Sequence, residues 1–481
     1  MRRALLVVAC LVLPALALAV PARAPDPPAA PAGAAAFAWN RDAYWATLER
    51  RFADLRNDDC AARAPTALAA VDTALGRLRE RSIEPEAASL DSLERQFFEL
   101  APVAAACPGL VAGYVRLQSR LRETVKDLSQ AWNMKDAVTR TRLYGLLYGS
   151  RAAAEEVMLH HPGQATALSA GRAEGSAAPG VVVQGVDIRS GDLLVSRGGY
   201  PTSALIARGS DLPGNFSHVA LVHVDSSTGQ ASTIEAHIER GVSISSADDY
   251  LRDKKLRIMV LRLRRDLPAL VADPLLPHRA AERALARAKT EHVPYDFTMD
   301  YMDPSRLFCS EVASSVYRDL GVTLWTGLST ISSPGLRRWL ASFGVRHFET
   351  QEPSDLEYDP NLVVVAEWRD PGSLAADHVD NAAVDAMLEG AERGTDLEFA
   401  WYRLPLARLA KAYSWALVRA GRIGPIPEGM SASAALRNQE FSARQRRISA
   451  AVTLRAEEHR RTRGYPPPYW TLLEYARDAD R

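Results

Sequence analysis

Arg306-Leu307-Phe308-Cys309-Ser310-Glu311-Val312-Ala313 is a short apolar run that passes into a helix, with one cysteine in the first turn. From Phe308 to Leu320 apolar residues return at helical spacing. They fall at Val312, Val316 and Leu320, with Ala313 and Tyr317 beside them, and Gly321 is a stop signal. Free N–H groups and the dipole at a helix N-terminus favour an anion. A thiol placed there is expected to ionise more readily, and the thiolate is the nucleophile. Cysteine is also a common small buried hydrophobe, and this stretch alone supports both readings.

Upstream of the cysteine helix the chain reads as short β-rich runs bounded by Gly, Asp and Ser: Asp192–Ser196, Ser217–Val224, Thr233–Ile238 and Arg257–Leu263. Pro201–Arg208 and Ala280–His292 read as helices, Asp248–Lys254 as a turn or short helix. Downstream come a helix over Pro334–Phe343 and a valine-rich strand over Leu362–Trp368. Strands beside helices without regular alternation indicate an α+β fold with a mainly antiparallel sheet.

This core is flanked by helical sequence. Trp39 to Pro162 carries apolar stripes at Leu48, Phe52 and Leu55, then at Val71, Leu75 and Leu78, then at Leu90, Leu93 and Phe97. Pro65, Pro85, Pro102 and Pro108 are expected to break it. Asp385 to about Leu473 is helical again, and its basic stretch Arg437–Arg463 reads as a solvated face or a contact for an anionic surface. His160-His161 before a proline reads as a polar helix end. The division expected is 1–24 signal peptide, 25–38 Ala/Pro tether, 39–162 helical domain, 163–185 Ala/Gly/Ser-rich linker, 186–370 catalytic domain and 371–481 C-terminal helical region.

The chain of 481 residues exceeds one ordinary core. Its 58 basic and 58 acidic residues balance, which argues against a nucleic-acid partner. Met1-Arg2-Arg3, the apolar run Ala4–Val20 and the small-residue sites Ala17-Leu18-Ala19 and Ala22-Arg23-Ala24 read as a secretory signal, an uncleaved anchor being the alternative. Location in the periplasm or cell envelope follows from it. Cleavage removes Cys10 and leaves Cys60, Cys107 and Cys309. Cys60 and Cys107 can pair with each other, leaving Cys309 over, and an odd cysteine in an oxidising compartment is free or reactive.

A nucleophilic thiol needs a base that a third group orients. In Phe216-Ser217-His218-Val219-Ala220-Leu221-Val222, His218 opens an apolar strand, either as its polar end or as a base. Glu235 and His237 share one face of the next strand, and a hairpin would bring Glu235 beside the His218 ring. The same His218, Glu235 and His237 are acceptable zinc ligands, but no HExxH or paired-cysteine spacing supports a metal.

Gly191-Asp192-Leu193-Leu194, the His218 strand, Ile234-Glu235-Ala236, Pro294-Tyr295-Asp296 and Leu307-Phe308-Cys309-Ser310-Glu311 occur in an order that resembles the circularly permuted papain-like cysteine hydrolases. These are the YiiX/YebB-like branch of the NlpC-type superfamily. The likeness runs from about Ile188 to Leu320, or on to Trp368. It implies a permuted papain-like fold with Cys309 as nucleophile, His218 as base, Glu235 as the group orienting it and Tyr295 near the substrate and oxyanion. It further implies hydrolysis of an amide, or of a thioester or ester, with no cofactor or metal. Acyl transfer through the same acyl-enzyme, or an idle site in a peptide- or lipid-binding envelope module, are the competing functions.

Overall fold

The computed structural model describes residues 20, 26–39, 42–56, 64–79 and 83–481. Apart from Val20, the expected signal segment lies outside those residues, and so does Cys60. Cys107 is disulfide-bonded and Cys309 is a free thiol.

The N-terminal apolar stripes form α1 (Asp42–Leu55), α2 (Ala64–Arg79), α3 (Ala88–Ala106), α4 (Val111–Ser129) and α5 (Ala137–His160). Leu75, Leu90, Phe97, Val111, Leu143 and Val157 close on one another in a shared core. One of the expected breaks is absent. Pro65 stands in the first turn of α2, where no partner for an N–H is needed and past the end of α1, but Pro102 is carried inside α3 with its ring buried.

A seven-stranded sheet follows, in the order β1 (Leu168–Ala170), β11 (Leu362–Trp368), β8 (Lys255–Leu263), β4 (Leu193–Gly198), β5 (His218–Val224), β6 (Ala231–His237) and β7 (Gly241–Ser246). Every neighbouring pair is antiparallel. β2 (Gly180–Val183) and β3 (Val186–Arg189) form a hairpin beside it, and β9 (Ser329–Thr330) pairs with β10 (Glu349–Thr350). The helices of this part are α6 (Pro201–Arg208), α7 (Ala247–Arg252), α8 (Leu276–Thr290), α9 (Cys309–Asp319) and α10 (Pro334–Phe343). β4, β5 and β8 carry apolar residues on both faces because both faces are covered. Val219, Leu221 and Ile234 meet Val312, Ala313 and Val316 of α9 on one side. The alternate residues Ala220 and Val222 meet Val186, Ile188 and Val260 on the other. Burial of each such side chain contributes about 1.5–3 kcal/mol.

The stretch expected to be a linker is structured. Leu168 pairs with Trp368 at the sheet edge and Val181 with Ile188 in the hairpin; the few β-branched and leucine residues among Ala, Gly and Ser suffice once a partner strand is supplied. The Ala/Pro tether is likewise laid down. Phe37 N–H donates to Asp211 O at 2.7 Å, and its ring lies edge-on to Tyr144 at 4.9 Å.

Buried ion pairs fasten the helical part to the sheet. Arg151 of α5 donates to Glu357 at 3.1 Å, to Glu155 at 3.3 Å and to Glu367 of β11. Arg257 of β8 reaches Glu155 at 2.6 Å and Asp377 at 2.8 Å, and Arg122 of α4 reaches Glu367 at 3.0 Å. Asp377 belongs to α11 (Pro371–Glu392), which leads to α12 (Leu404–Arg419), α13 (Ala432–Arg463) and α14 (Tyr469–Ala479). In the basic stretch of α13, Phe441, Ile448 and Val452 are buried in a core shared with α11 and α14. Arg444 pairs with Asp480 at 2.6 Å and Arg455 with Asp478 at 2.9 Å, so part of its charge is neutralised internally.

Candidate active site

α9 is held at both ends. Phe308 N–H donates to the Glu311 side chain at 2.8 Å and closes the first turn. Tyr317 O–H donates to Gly191 O at 2.5 Å and fixes the helix to the turn before β4. Gly191 has φ +94° and meets Pro277 where a Cβ would sit, so the turn requires glycine. Cys309, the first residue of α9, is only 4 % exposed. Backbone N–H groups of Val219 and Ser310 reach its sulfur.

Burial pushes the Cys309 thiol up to about 12; Glu352 adds to the rise and the two amides oppose it. The expectation of an acidified thiol is thus overturned. Desolvation outweighs the helix N-terminus, and the nearest charges are carboxyl groups, not cations. Glu311 beside it is also driven up by burial, to about 9, with Asp296 and Asp300 adding to that rise.

His218 opens β5 opposite Ser196. Its Nε2 meets Glu235 Oε2 at 2.7 Å. β5 and β6 pair Leu221 with Ile234, a register that carries Glu235 and His237 to the end of the sheet where β5 begins. Thr233 O–H donates to the other Glu235 oxygen at 3.1 Å, and His237 Nε2 lies 3.6 Å from it. Burial works to raise Glu235, but hydrogen bonds and charge from His218 and His237 prevail and hold it well below the usual carboxylate range. Burial lowers His218 against the pull of Glu235, with Lys255 and His237 adding to the lowering. Thiol and imidazole therefore rest as a neutral pair.

With Nε2 turned to Glu235, Nδ1 is the nitrogen left to face a thiol. Val219, whose amide is among the groups lowering the Cys309 thiol, follows His218 in β5, so the thiol lies near this end of the strand. Among the described residues no hydrogen bond joins sulfur and ring. Catalytic hydrogen bonds of this kind are often long before substrate binds.

Tyr295 is placed by backbone bonds in both directions. Leu307 N–H donates to Pro294 O at 3.1 Å, and Asp296 N–H donates to Leu307 O at 3.3 Å. Burial raises its phenol well above the ordinary value, and Cys309 and Glu352 add to the rise, so Tyr295 stays a neutral O–H donor near the thiol.

Glu352 was passed over in the sequence, where it lies in an aperiodic loop before Pro353. That loop is tied to both halves of the site. Ser314 O–H of α9 donates to Gln351 at 2.7 Å, and Ser354 exchanges hydrogen bonds with the backbone of Phe216, just before His218. Glu352 is buried, its Oε2 has no hydrogen-bond partner, and burial with the neighbouring Asp355 drives it far up. A neutral carboxylic acid therefore stands near the sulfur, and only the tertiary fold could reveal it.

The arrangement offers a nucleophile, a base with an orienting carboxylate, and donors from two amides and a phenol where an oxyanion would develop. His218, Glu235 and His237 also bring three ligand atoms within 4.8 Å of one another, so a divalent cation could compete for the same groups.

Residues 187–365 match one family model, described as "Permuted papain-like amidase enzyme, YaeF/YiiX, C92 family". No curated protein and no solved structure matches the chain.

Proposed function

We propose that the protein is a cysteine hydrolase of amide bonds that works through an acyl-enzyme on Cys309, with His218 as base and Glu235 as its orienting group; the match of residues 187–365 to the permuted papain-like amidase model supports it. The observation that carries this reading is the His218–Glu235 bond at 2.7 Å on the strand against which α9, the helix that Cys309 opens, is packed.

Because thiol and imidazole rest neutral, the proton leaves sulfur as the substrate is attacked. Sγ bonds to the carbonyl carbon while His218 takes the thiol proton. The amides of Val219 and Ser310 and the Tyr295 hydroxyl are the donors nearest the developing oxyanion. Collapse breaks the C–N bond, and His218 hands its proton to the departing amine. Water, deprotonated by His218, then attacks the thioester, and the acid leaves as the thiol is restored. Glu235 stabilises the imidazolium in both halves. Thioesters or esters would enter by the same steps, and an amine or alcohol acceptor in place of water would give acyl transfer.

The setting proposed is the periplasm or cell envelope, supported by the charged and apolar N-terminal sequence Met1–Ala24. The test is trapping. Incubating the protein with a panel of muropeptides and fatty-acyl amides, then acid-quenching, is expected to leave an acyl mass on the peptide containing Cys309, absent in His218→Ala. An adduct elsewhere, or turnover retained in Cys309→Ala, rejects the mechanism.

A second reading, a divalent-cation site on His218, Glu235 and His237, rests on the convergence of their ligand atoms within 4.8 Å. Stoichiometric metal in purified protein, with activity abolished by chelation, would favour it.

A further inference from the structure

α12 turns one face to the molecule and leaves the other uncovered. Leu404, Ala407 and Ser414 are buried, and this side packs in a cluster with Ile238, Phe297 and Met430. Tyr402, Leu406, Leu409 and Tyr413 follow at steps of four, three and four, a single helical stripe on the opposite side. They are 69 %, 73 %, 62 % and 58 % exposed. Trp401 and Trp415 flank them, also exposed, and Ile423 extends the patch beyond the helix. Isolated apolar side chains on a surface need no explanation, but a continuous stripe of this kind marks a contact face.

Its charge is one-sided. Between Glu398 and Glu428 the chain carries Arg403, Arg408, Lys411, Arg419 and Arg422, and no Asp or Glu. Arg403 is held by Glu440 at 2.8 Å and Lys411 by the Pro427 carbonyl at 2.6 Å. Arg419 and Arg422 are exposed beside the stripe, Arg419 over the Trp415 ring at 3.7 Å. Arg408 donates at 2.7 Å to the carbonyl of Val20, the last residue of the apolar N-terminal run. Among the described residues no helix is long and apolar enough to cross a membrane.

We propose that this face docks on an anionic phospholipid bilayer. α12 lies in the interface with Tyr402, Leu406, Leu409 and Tyr413 at the acyl boundary, the two tryptophans at headgroup level, and Arg419 and Arg422 on lipid phosphates. A bilayer is favoured because cations border an apolar stripe that is exposed along its whole length. The inner face of α12 packs on Phe297 and Ile238, close in sequence to Tyr295 and His237, so docking brings the Cys309 site to the lipid surface and favours a lipid-linked amide as substrate. That last consequence rests on the amidase reading; the docking does not.

The test needs no activity. In the full chain with Cys309→Ala, Leu409→Cys is labelled with an environment-sensitive fluorophore and titrated with phosphatidylglycerol/phosphatidylcholine vesicles. The label is expected to brighten and shift to the blue. Phosphatidylcholine alone should give no response, nor should the same label at Val182→Cys, an exposed position on the β2–β3 hairpin. Adding Arg419→Ser and Arg422→Ser should raise the lipid needed for half the response about tenfold or more. No response at position 409, or an equal response at 182, overturns the proposal. A response to rising protein concentration without lipid also overturns it and assigns the face to a second copy of the chain.

Discussion

Two sets of buried ionisable groups touch the same sheet, and they have opposite fates. Where α5 meets β8 and β11, Glu155 and Glu367 are almost wholly buried, yet arginines hold both well below the usual range. At the mouth of β5, Glu352, Glu311 and Cys309 are buried without a cation in contact, and all three are driven up towards their neutral forms. Burial is equal, so pairing decides ionisation. The first set fastens helices to sheet; the second gathers neutral acids and a protonated thiol at one end of the same sheet.

The largest effect expected comes from breaking the second set at its base. His218→Ala should lower amide turnover by about 10⁴-fold or more while leaving the melting curve unchanged, since catalytic groups acting as a unit fail together. Thermal melts beside progress curves check both halves. Arg151→Ala tests the first set. It leaves Glu357 and Glu367 short of a cation and should cost about 3–5 kcal/mol in urea unfolding. Less than about 1 kcal/mol would mean the network is not what joins the two parts.

Glu235→Gln sits between the sets, a paired carboxylate inside the site. It should cost less turnover than His218→Ala, about 10²–10³-fold, because the base survives without its orienting charge. Glu352→Gln should leave the thiol nearly unchanged. Burial already holds Glu352 in its neutral form, so iodoacetamide alkylation of Cys309 at neutral pH should stay within about twofold of the parent. Alkylation quickened about tenfold would show that Glu352 carries a charge beside the sulfur.

The smallest effect separates the sets by pH. Glu311 is raised to about 9 in the folded chain, so its stabilisation is complete below its ordinary value near 4.5 and fades as pH rises towards 9. Glu155 and Glu367 are depressed, so theirs is present above the ordinary range and fades as acid protonates them. Unfolding free energy followed from pH 5 to 9 should therefore decline less steeply in Glu311→Gln than in the parent. An identical slope would mean that Glu311 is already ionised.

Much of the catalytic region could be read from local pattern. The His218 strand, the Pro201–Arg208 helix, the Leu362–Trp368 strand and the cysteine helix carry their own periodicity and stop signals, and they lie within a residue or two of where they were expected. β1, β2 and β7 could not be read that way. They are short or broken by Gly and Ser, and they exist because a neighbouring edge supplies the hydrogen bonds. Among site residues, His218 and Glu235 were legible as a hairpin pair, whereas Glu352 gave no signal, since a lone carboxyl in an aperiodic loop looks like any surface acid.

By itself the sequence determined the α+β layout of the catalytic region, the adjacency of the His218 and Glu235 strands, and which side chains have the chemistry to attack and to accept a proton. The tertiary structure alone decided their protonation and their company: the thiol is neutral, Glu352 stands beside it, and α12 faces outward. The reason is physical. Residue type and spacing fix local geometry, but the free energy of a charge depends on the water removed and the counter-charges supplied by segments distant in the chain.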